Sequence, residues 1–333
     1  MIRSLATALS LLLFAACAGG GPRQPPAWAI AIHGGAGTIS RDAPPAQLKA
    51  YRAALQGALD LGVSMLSAGA SSLDVCESIV RMLEDDPMFN AGRGAVFNEK
   101  GEHELDASIM AGDTMRGGAV AGVRTVRHPI TLARKVMTDT RHVLLAGEGA
   151  ETFAGTAGVQ RVENSWFDTE RRRRSLERRL QERVQSGSLS VPRDRRHDYG
   201  TVGCVVLDGQ GRLAAATSTG GMTAKRWGRV GDTPVLGAGN YADGTAAISC
   251  TGAGEEFIRH AVARSVTARI QYGGQSLEEA ANAVVHEVLK PGDGGLIAVD
   301  KDGNLAAPFN SSGMYRAMAN SRGVSEVAIF PKP

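Results

Sequence analysis

Thr201 stands where one residue could supply both a nucleophile and its base. It opens the run Thr201-Val202-Gly203-Cys204-Val205-Val206-Leu207, directly after Gly200 and behind a polar, Arg-rich segment. Inside an intact chain its hydroxyl has no base of its own. If the Gly200–Thr201 bond is cut, Thr201 gains a free α-amine with a pKa of about 7.7–8, partly neutral near pH 7 and able to take the hydroxyl proton. No His or Asp partner is then required. Downstream lie groups that such a nucleophile could use: the hydroxyl of Thr219, the cation of Arg229, the anion of Asp232, and Thr251-Gly252 ahead of a helix. Donors at a helix start suit a developing negative charge, and a cation and an anion three residues apart suit a zwitterion as well as each other. Taken singly, each feature is ordinary. Thr251-Gly252-Ala253-Gly254 is also half of a dinucleotide fingerprint, but Phe257 stands where the third glycine belongs and no βαβ unit follows.

These residues need rigid elements to bring them together. Residues 28–32 predict a short apolar strand, followed by a glycine-rich passage, His33-Gly34-Gly35-Ala36-Gly37, where the backbone must come close to something. Helical spacing predicts one helix over 45–68 and a second, capped by Ser71 or Ser72, to about Leu83. Pro87 turns the chain into a loop over 87–94, after which 95–97, 104–110 and 117–126 read as strands of a meander. A helix from Pro129, a strand at 142–146 and a helical stretch from Gly147 follow. Residues 160–198 are polar and basic, with Gly187 and Pro192 interrupting any long helix; Arg171, Arg172, Arg173, Arg174, Arg178 and Arg179 read as a solvated helix face in a linker before a cleavable junction. Beyond it the pattern predicts strands at 201–207, 212–217, 246–250 and 295–299, one helix to about Tyr272, another from Ser276 to Leu289, and a turn-rich loop over 308–313.

Composition narrows the function classes. The 333 residues can bury a large core, and 43% hydrophobic with 21% charged residues excludes a disordered chain. The net charge of +3 is unevenly spread: residues 160–198 hold 11 Arg against 7 acidic residues, +4, leaving −1 (3 − 4) elsewhere. A nucleic-acid surface on the folded body is therefore not expected. Arg3 precedes an apolar run of 11 residues, 6–16, too short to span a bilayer but suited to a cleaved signal over 1–16. Phe14-Ala15-Ala16-Cys17 resembles a bacterial lipobox, which makes Cys17 the acylated first residue of the mature chain and 17–27 a tether; simple secretory cleavage near Ala16 or Ala18 is the alternative. The expected location is the periplasm, membrane-anchored as a bacterial lipoprotein. Cys76, Cys204 and Cys250, each in an apolar context, read as buried free thiols.

An ordered set of motifs then resembles one family. H-G-G-A-G at 33–37, F-N-A-G-R-G-A-V-F at 89–97, G-T-V-G at 200–203, T-S-T-G-G-M-T at 217–223, G-R-V-G-D-T-P at 228–234, S-C-T-G-A-G-E at 249–255 and P-F-N-S-S-G-M-Y-R at 308–316 resemble the plant-type L-asparaginase and isoaspartyl peptidase family of N-terminal nucleophile hydrolases. The resemblance covers nearly the whole mature chain apart from 160–198. It implies an α+β fold, a four-layer αββα sandwich, as one domain over 28–333, autocleaved into an α chain ending at Gly200 and a β chain 201–333 of 133 residues (333 − 200). By the family pattern Thr201 is the nucleophile and Thr219 helps to activate it. Arg229 takes the substrate α-carboxylate, Asp232 takes the α-ammonium, and Gly252 and Gly254 line the substrate. The Thr251 hydroxyl and the Gly252 N–H form the oxyanion hole.

The implied reaction is hydrolysis of β-aspartyl (isoaspartyl) dipeptides and L-asparagine to L-aspartate through an acyl-enzyme, with no catalytic cofactor. The loop before Asn90 resembles the family's sodium loop and implies a structural Na+ held by backbone carbonyls of Leu83, Glu84, Asp86, Phe89, Ala91 and Arg93. An (αβ)2 homodimer is also implied. Tyr199 ahead of Gly200 and the basic linker depart from the pattern at the junction to be cut. G-M-T-A-K and G-R-V-G-D-T-P look like the isoaspartyl peptidase branch. The alternatives are a glycosylasparaginase-like amidohydrolase and a non-enzymatic aspartate- or peptide-binding lipoprotein that never matures. A Ser-His-Asp esterase lacks its G-x-S-x-G elbow.

Overall fold

A computed structural model of the chain describes residues 28–37, 39–186 and 200–331. The expected signal, the tether with Cys17, residues 187–198 and Tyr199 lie outside the described residues. Two sheets stack face to face. The larger contains β1 (Ala29–Gly37), β2 (Leu105–Ala111), β3 (Gly117–Val123), β4 (Leu144–Ala146), β5 (Val202–Leu207) and β6 (Leu213–Thr219). The smaller contains β7 (Asn240–Ala242), β8 (Ala246–Gly252), β9 (Gly294–Asp300) and β10 (Leu305–Ala306), after which β11 (Gly313–Asn320) and β12 (Ser325–Ala328) return to the first sheet. Their orders are β12-β11-β1-β5-β6-β2-β3-β4 and β10-β9-β8-β7.

Side chains alternate along each strand between two cores. On β1, Ile30 and Ile32 face helices α1 (Pro45–Ser67) and α2 (Ser72–Asp85), while Ala29 and Ala31 face the second sheet. On β5, Val202, Cys204 and Val206 belong to the helix side, and Val205 and Leu207 to the layer between the sheets. The inter-sheet layer is rich in alanine, with Ala215, Ala242 and Ala247 joining Ala29 and Ala31, so the sheets close tightly. Helix α3 (Pro129–Asp139) completes the outer cover of the first sheet, and α4 (Gly147–Thr156) follows β4. On the other side α6 (Gly254–Arg259), α7 (Val262–Gly273) and α8 (Leu277–Ala283) cover the second sheet, their core holding Phe257, Val266 and Val284. The result is the four-layer α+β sandwich that the motifs imply.

Local chemistry explains the element boundaries. Ser71 caps α2 by accepting the Asp74 N–H at 3.2 Å. Ser276 and Glu279 form a reciprocal capping box on α8. Cys76, Cys204 and Cys250 are buried and free, as expected.

Several local readings need correction. The strand expected over 28–32 runs on through Gly37 against β11, with a bulge between His33 and Gly35. Residues 95–97 form no ladder, because Asn90 holds the Val96 N–H through its Oδ1 at 2.9 Å. The helix expected to reach Tyr272 breaks at Ala261, whose φ of 44° is left-handed, and the one expected to reach Leu289 passes into a π turn at Val284–Val288. β7 and β11 were not expected, and β11 lies beside β1, one strand in from the edge of the larger sheet. Finally, the basic segment is partly built into the body: α5 (Glu170–Ser186) docks with Arg172 6% exposed and Leu176 against Phe97 and Ala224.

Gly203 shows how closely the site is assembled, since a Cβ there would lie 2.0 Å from Ser249 Oγ and 2.4 Å from His33 Nε2. Gly203→Ala is expected to lower stability by about 1–3 kcal/mol, as overpacking does, and to displace Thr201 two residues away. Denaturant midpoints of the two proteins measure this; an unchanged midpoint would show that the crowding is absent.

Candidate active site

Thr201 lies just ahead of β5 and is 8% exposed. Its Oγ1 donates to Oγ1 of Thr219, the last residue of the neighbouring β6, at 3.2 Å. Thr219 Oγ1 also accepts the Gly221 N–H at 3.0 Å. Both carbonyls of the Gly200–Thr201 junction are held. The Asn90 N–H donates to the Gly200 oxygen at 3.1 Å, and His33 Nδ1 lies 2.9 Å from the Thr201 oxygen.

Burial pushes the His33 imidazole down to about 3, so the ring is neutral. A carbonyl only accepts, which places the ring proton on Nδ1 and leaves Nε2 to accept from Ser249 Oγ at 2.9 Å. Ser249 in turn accepts from Thr217 Oγ1 at 2.7 Å, and Thr217 from Asn240 Nδ2 at 3.2 Å. A buried chain of donors spanning both sheets thus aims one N–H at the backbone of Thr201.

The binding side of the cleft is charged. Thr201, Thr219, Gly221, Arg229, Asp232 and Gly252 line a small space of about 10 Å³, the room of about one water. Arg229 forks onto Glu255 through Nε and Nη2 at 2.9 and 3.0 Å. Asp232 is 5% exposed, and its Oδ2 has no hydrogen-bond partner among the described residues. Burial raises Asp232 to about 7 against the opposing pull of Arg229. Gly254 separates the two: a Cβ there would lie 2.8 Å from Arg229 Nη2 and 2.9 Å from Asp232 Oδ1. Behind Thr219, its cross-strand neighbour Asp106 is fully buried and raised by burial, with Lys225 opposing the shift. Lys225 is itself buried and donates Nζ to the Glu104 carbonyl at 2.7 Å.

Thr251 and Gly252 end β8, shortly ahead of α6. The Ala36 N–H donates to Thr251 Oγ1 at 3.1 Å, which leaves the hydroxyl proton for another acceptor. Gly252 has a φ of 155° and packs so closely that a Cβ would fall 2.0 Å from the Asp293 oxygen, so no other residue fits. Thr201, Thr219, Arg229, Asp232 and Gly252 therefore meet at one cleft, with Thr251 and Gly254 at its edge.

This geometry has counterparts in known sequences. The asparaginase family model matches residues 26–329. The chain belongs to the plant-type asparaginase family. It is 50% identical over 296 residues to the isoaspartyl peptidase of Escherichia coli K12, covering 86% of this chain and 91% of that one. It is 51% identical over 293 residues to the Salmonella typhimurium isoaspartyl peptidase, covering 86% and 94%. The isoaspartyl peptidase/L-asparaginase of Bos taurus is 43% identical over 294 residues, covering 87% and 92%.

The asparaginase family's expected sodium loop can be tested against the end of α2. Pro87 has no N–H to close the last turn onto the Leu83 carbonyl, and the Met88 N–H donates to Asp86 Oδ1 at 2.9 Å. Loop 90–94 folds back over this end, where a Cβ on Gly92 would meet the Glu84 oxygen at 2.2 Å and one on Gly94 the Phe89 oxygen at 2.0 Å. The Asp86 and Ala91 carbonyls each accept one N–H, from Phe89 and Gly94, and keep a second lone pair. Carbonyls at the negative end of a helix fit a hard monovalent cation. The Glu84 carboxyl itself is raised to about 8 by burial, accepts from Ser218 and Ile130, and is not the source of charge.

Sequence reasoning missed the roles of His33, Asn90, Asp106, Lys225 and Glu255 in this family site. His33 and Asn90 lay within quoted motifs, but their targets are fixed by contacts across the chain. Asp232 also carries a pH signature. Folded Asp232 holds its proton more tightly than an unfolded aspartate, so its contribution to stability falls as pH rises from about 4 to about 7 and is level above. Asp232→Asn is expected to melt higher than the parent at pH 8, with the gap closing towards pH 4. Thermal scans at the two pH values measure it, and a gap independent of pH would exclude the raised carboxyl.

Proposed function

We propose that the protein cuts itself between Gly200 and Thr201 and then hydrolyses β-aspartyl dipeptides and L-asparagine to L-aspartate. The observation carrying this reading is the Thr201–Thr219 hydroxyl pair beside an anion-and-cation cleft, with both junction carbonyls held. In maturation Thr201 Oγ attacks the Gly200 carbonyl carbon. The oxygen that gains charge already accepts the Asn90 N–H. The Gly200–Thr201 C–N bond breaks, the nitrogen takes the hydroxyl proton, and an ester joins Gly200 to Thr201 Oγ. Water hydrolyses that ester, leaving a Gly200 carboxylate and a free Thr201 amine.

In turnover the substrate α-carboxylate meets Arg229 and its α-ammonium meets Asp232, whose Oδ2 has no hydrogen-bond partner among the described residues. The Thr201 amine takes the Oγ proton, and Oγ attacks the side-chain carbonyl. Thr251 Oγ1 and the Gly252 N–H hold the oxyanion. The amine proton passes to the leaving nitrogen, the C–N bond breaks, and water releases aspartate from the acyl-enzyme. The cleft is too small for this head while the junction is intact, so maturation has to open it.

The proposal extends to the surroundings. Backbone carbonyls of Leu83, Glu84, Asp86, Phe89, Ala91 and Arg93 would hold a structural Na+ that ties loop 86–94 to α2. Export to the periplasm with a lipidated Cys17 and assembly as an (αβ)2 dimer complete the reading. Among the described residues no helix is long and apolar enough to cross a membrane.

Intact masses and N-terminal sequencing test maturation. A fragment beginning Thr201-Val202-Gly203 is expected, Thr201→Ala is expected to stay in one piece, and aspartate release is expected only from cut protein. A parent chain that stays whole through long incubation yet releases aspartate would overturn the mechanism. Replacing sodium by a bulky organic cation is expected to lower the thermal midpoint, with sodium restoring it in a saturable way; no response to sodium removes the ion from the reading.

A further inference from the structure

A second cavity lies beside the bond to be cut. It measures about 160 Å³ and is lined by Gly34, Gln47, Tyr51, Asn90, Arg171 and Gly200, among others. The small cleft begins at Thr201, so the two spaces flank adjoining residues. This inference rests on the proposed reaction, because that reaction fixes where the leaving group must stand. The Thr201 amine hands its proton to the departing nitrogen. Before cleavage that amine nitrogen is bonded to Gly200. The leaving group therefore departs on the Gly200 side, towards the larger cavity.

The cavity is built for an anion with an apolar flank. Arg171 donates Nη1 to the Tyr51 hydroxyl and Nη2 to the Met88 carbonyl, both at 2.6 Å. These acceptors are neutral, and among the described residues no carboxylate pairs with Arg171. The adjoining Arg172 also lines the cavity and donates Nε to the Gly94 carbonyl at 2.7 Å. Tyr51 stacks on Tyr315 at 4.1 Å between ring centroids and meets Phe89 edge-on at 5.7 Å, giving the space an aromatic wall. A space of about 150 Å³ accepts a benzene-sized group.

We propose that this cavity is the subsite for the departing amino acid of an isoaspartyl dipeptide, with Arg171 taking its free α-carboxylate and the tyrosine wall taking its side chain. Arg171 is then a specificity residue: it rewards a leaving group that carries a carboxylate, which ammonia from asparagine lacks. It reaches the site because α5, from the basic segment, docks on the body with its first turn at the cavity.

The test compares the matured protein on β-aspartyl-leucine, on the same dipeptide with its C-terminal carboxyl amidated, and on L-asparagine. Parent kcat/KM is expected to favour the free acid over the amide by about tenfold or more, the scale of one charge-assisted hydrogen bond. In Arg171→Gln that ratio is expected to fall to near one, and Arg171→Lys to restore part of it. A parent ratio near one overturns the subsite without needing any variant to fold, as does an unchanged ratio in Arg171→Gln. Hydrolysis of asparagine by the same preparation keeps the proposed reaction standing in those cases. Matured protein that cleaves none of the three removes that reaction and the subsite with it.

Discussion

The hold on the Gly200–Thr201 junction is the constraint on which the rest of the structure depends. One carbonyl accepts from the Asn90 backbone and the other from the His33 ring, and the two donors come from different parts of the N-terminal half. Gly35 closes the third side, since a Cβ there would lie 2.5 Å from Gly200 Cα. A glycine at 200 is required for the same reason, as its own Cβ would approach Asn90 Cβ at 2.8 Å. The bulged glycine run of β1, the Asn90 loop and the tight inter-sheet layer all serve to put a backbone where a hydroxyl can reach it. His33 gives that arrangement its direction: as a neutral ring deep in the core it can donate only one way, and the serine–threonine–asparagine chain behind it fixes which.

The charged half of the site follows a different logic. Asp232 and Asp106 are carboxyls withdrawn from water, each with an oxygen that finds no hydrogen bond among the described residues. Burying such groups is costly unless a cation completes them. Arg229 is shared with Glu255, so it does not fully neutralise Asp232, and Lys225, the cation facing Asp106, is turned to the Glu104 carbonyl. A ligand ammonium would supply the missing charge. The site is thus held in a state that favours its ligand by being incomplete without it.

What could be read from the sequence was the chemistry placed beside glycines at strand ends. Thr201, Thr219, Thr251 and Gly252 stand at such positions, Arg229 and Asp232 stand beside glycines in the loop between β6 and β7, and the smaller sheet's long strands announce themselves through largely apolar runs. What could not be read depended on register between distant segments. His33 reaches Ser249 across 216 residues. β11 was missed because Met314-Tyr315-Arg316-Ala317-Met318 contains no β-branched residue and pairs with a strand almost the whole chain away. The Arg-rich segment misled in the other direction. Its charge suggested a solvated face, but Arg172 and Leu176, four residues apart, share the side of α5 that meets the body.

The strand order β11-β1-β5 has a consequence for how such a protein ages. β1 belongs to the half before Gly200, while both its neighbours belong to the half after it. Once the chain is severed at Gly200, the centre of the large sheet is woven from two separate polypeptides. The covalent connection that let β1 find its slot during synthesis is gone, and reassembly becomes an encounter between two molecules. Unfolding is then a one-way event, and the lifetime of the working protein is set by how slowly it opens rather than by the balance between folded and unfolded forms.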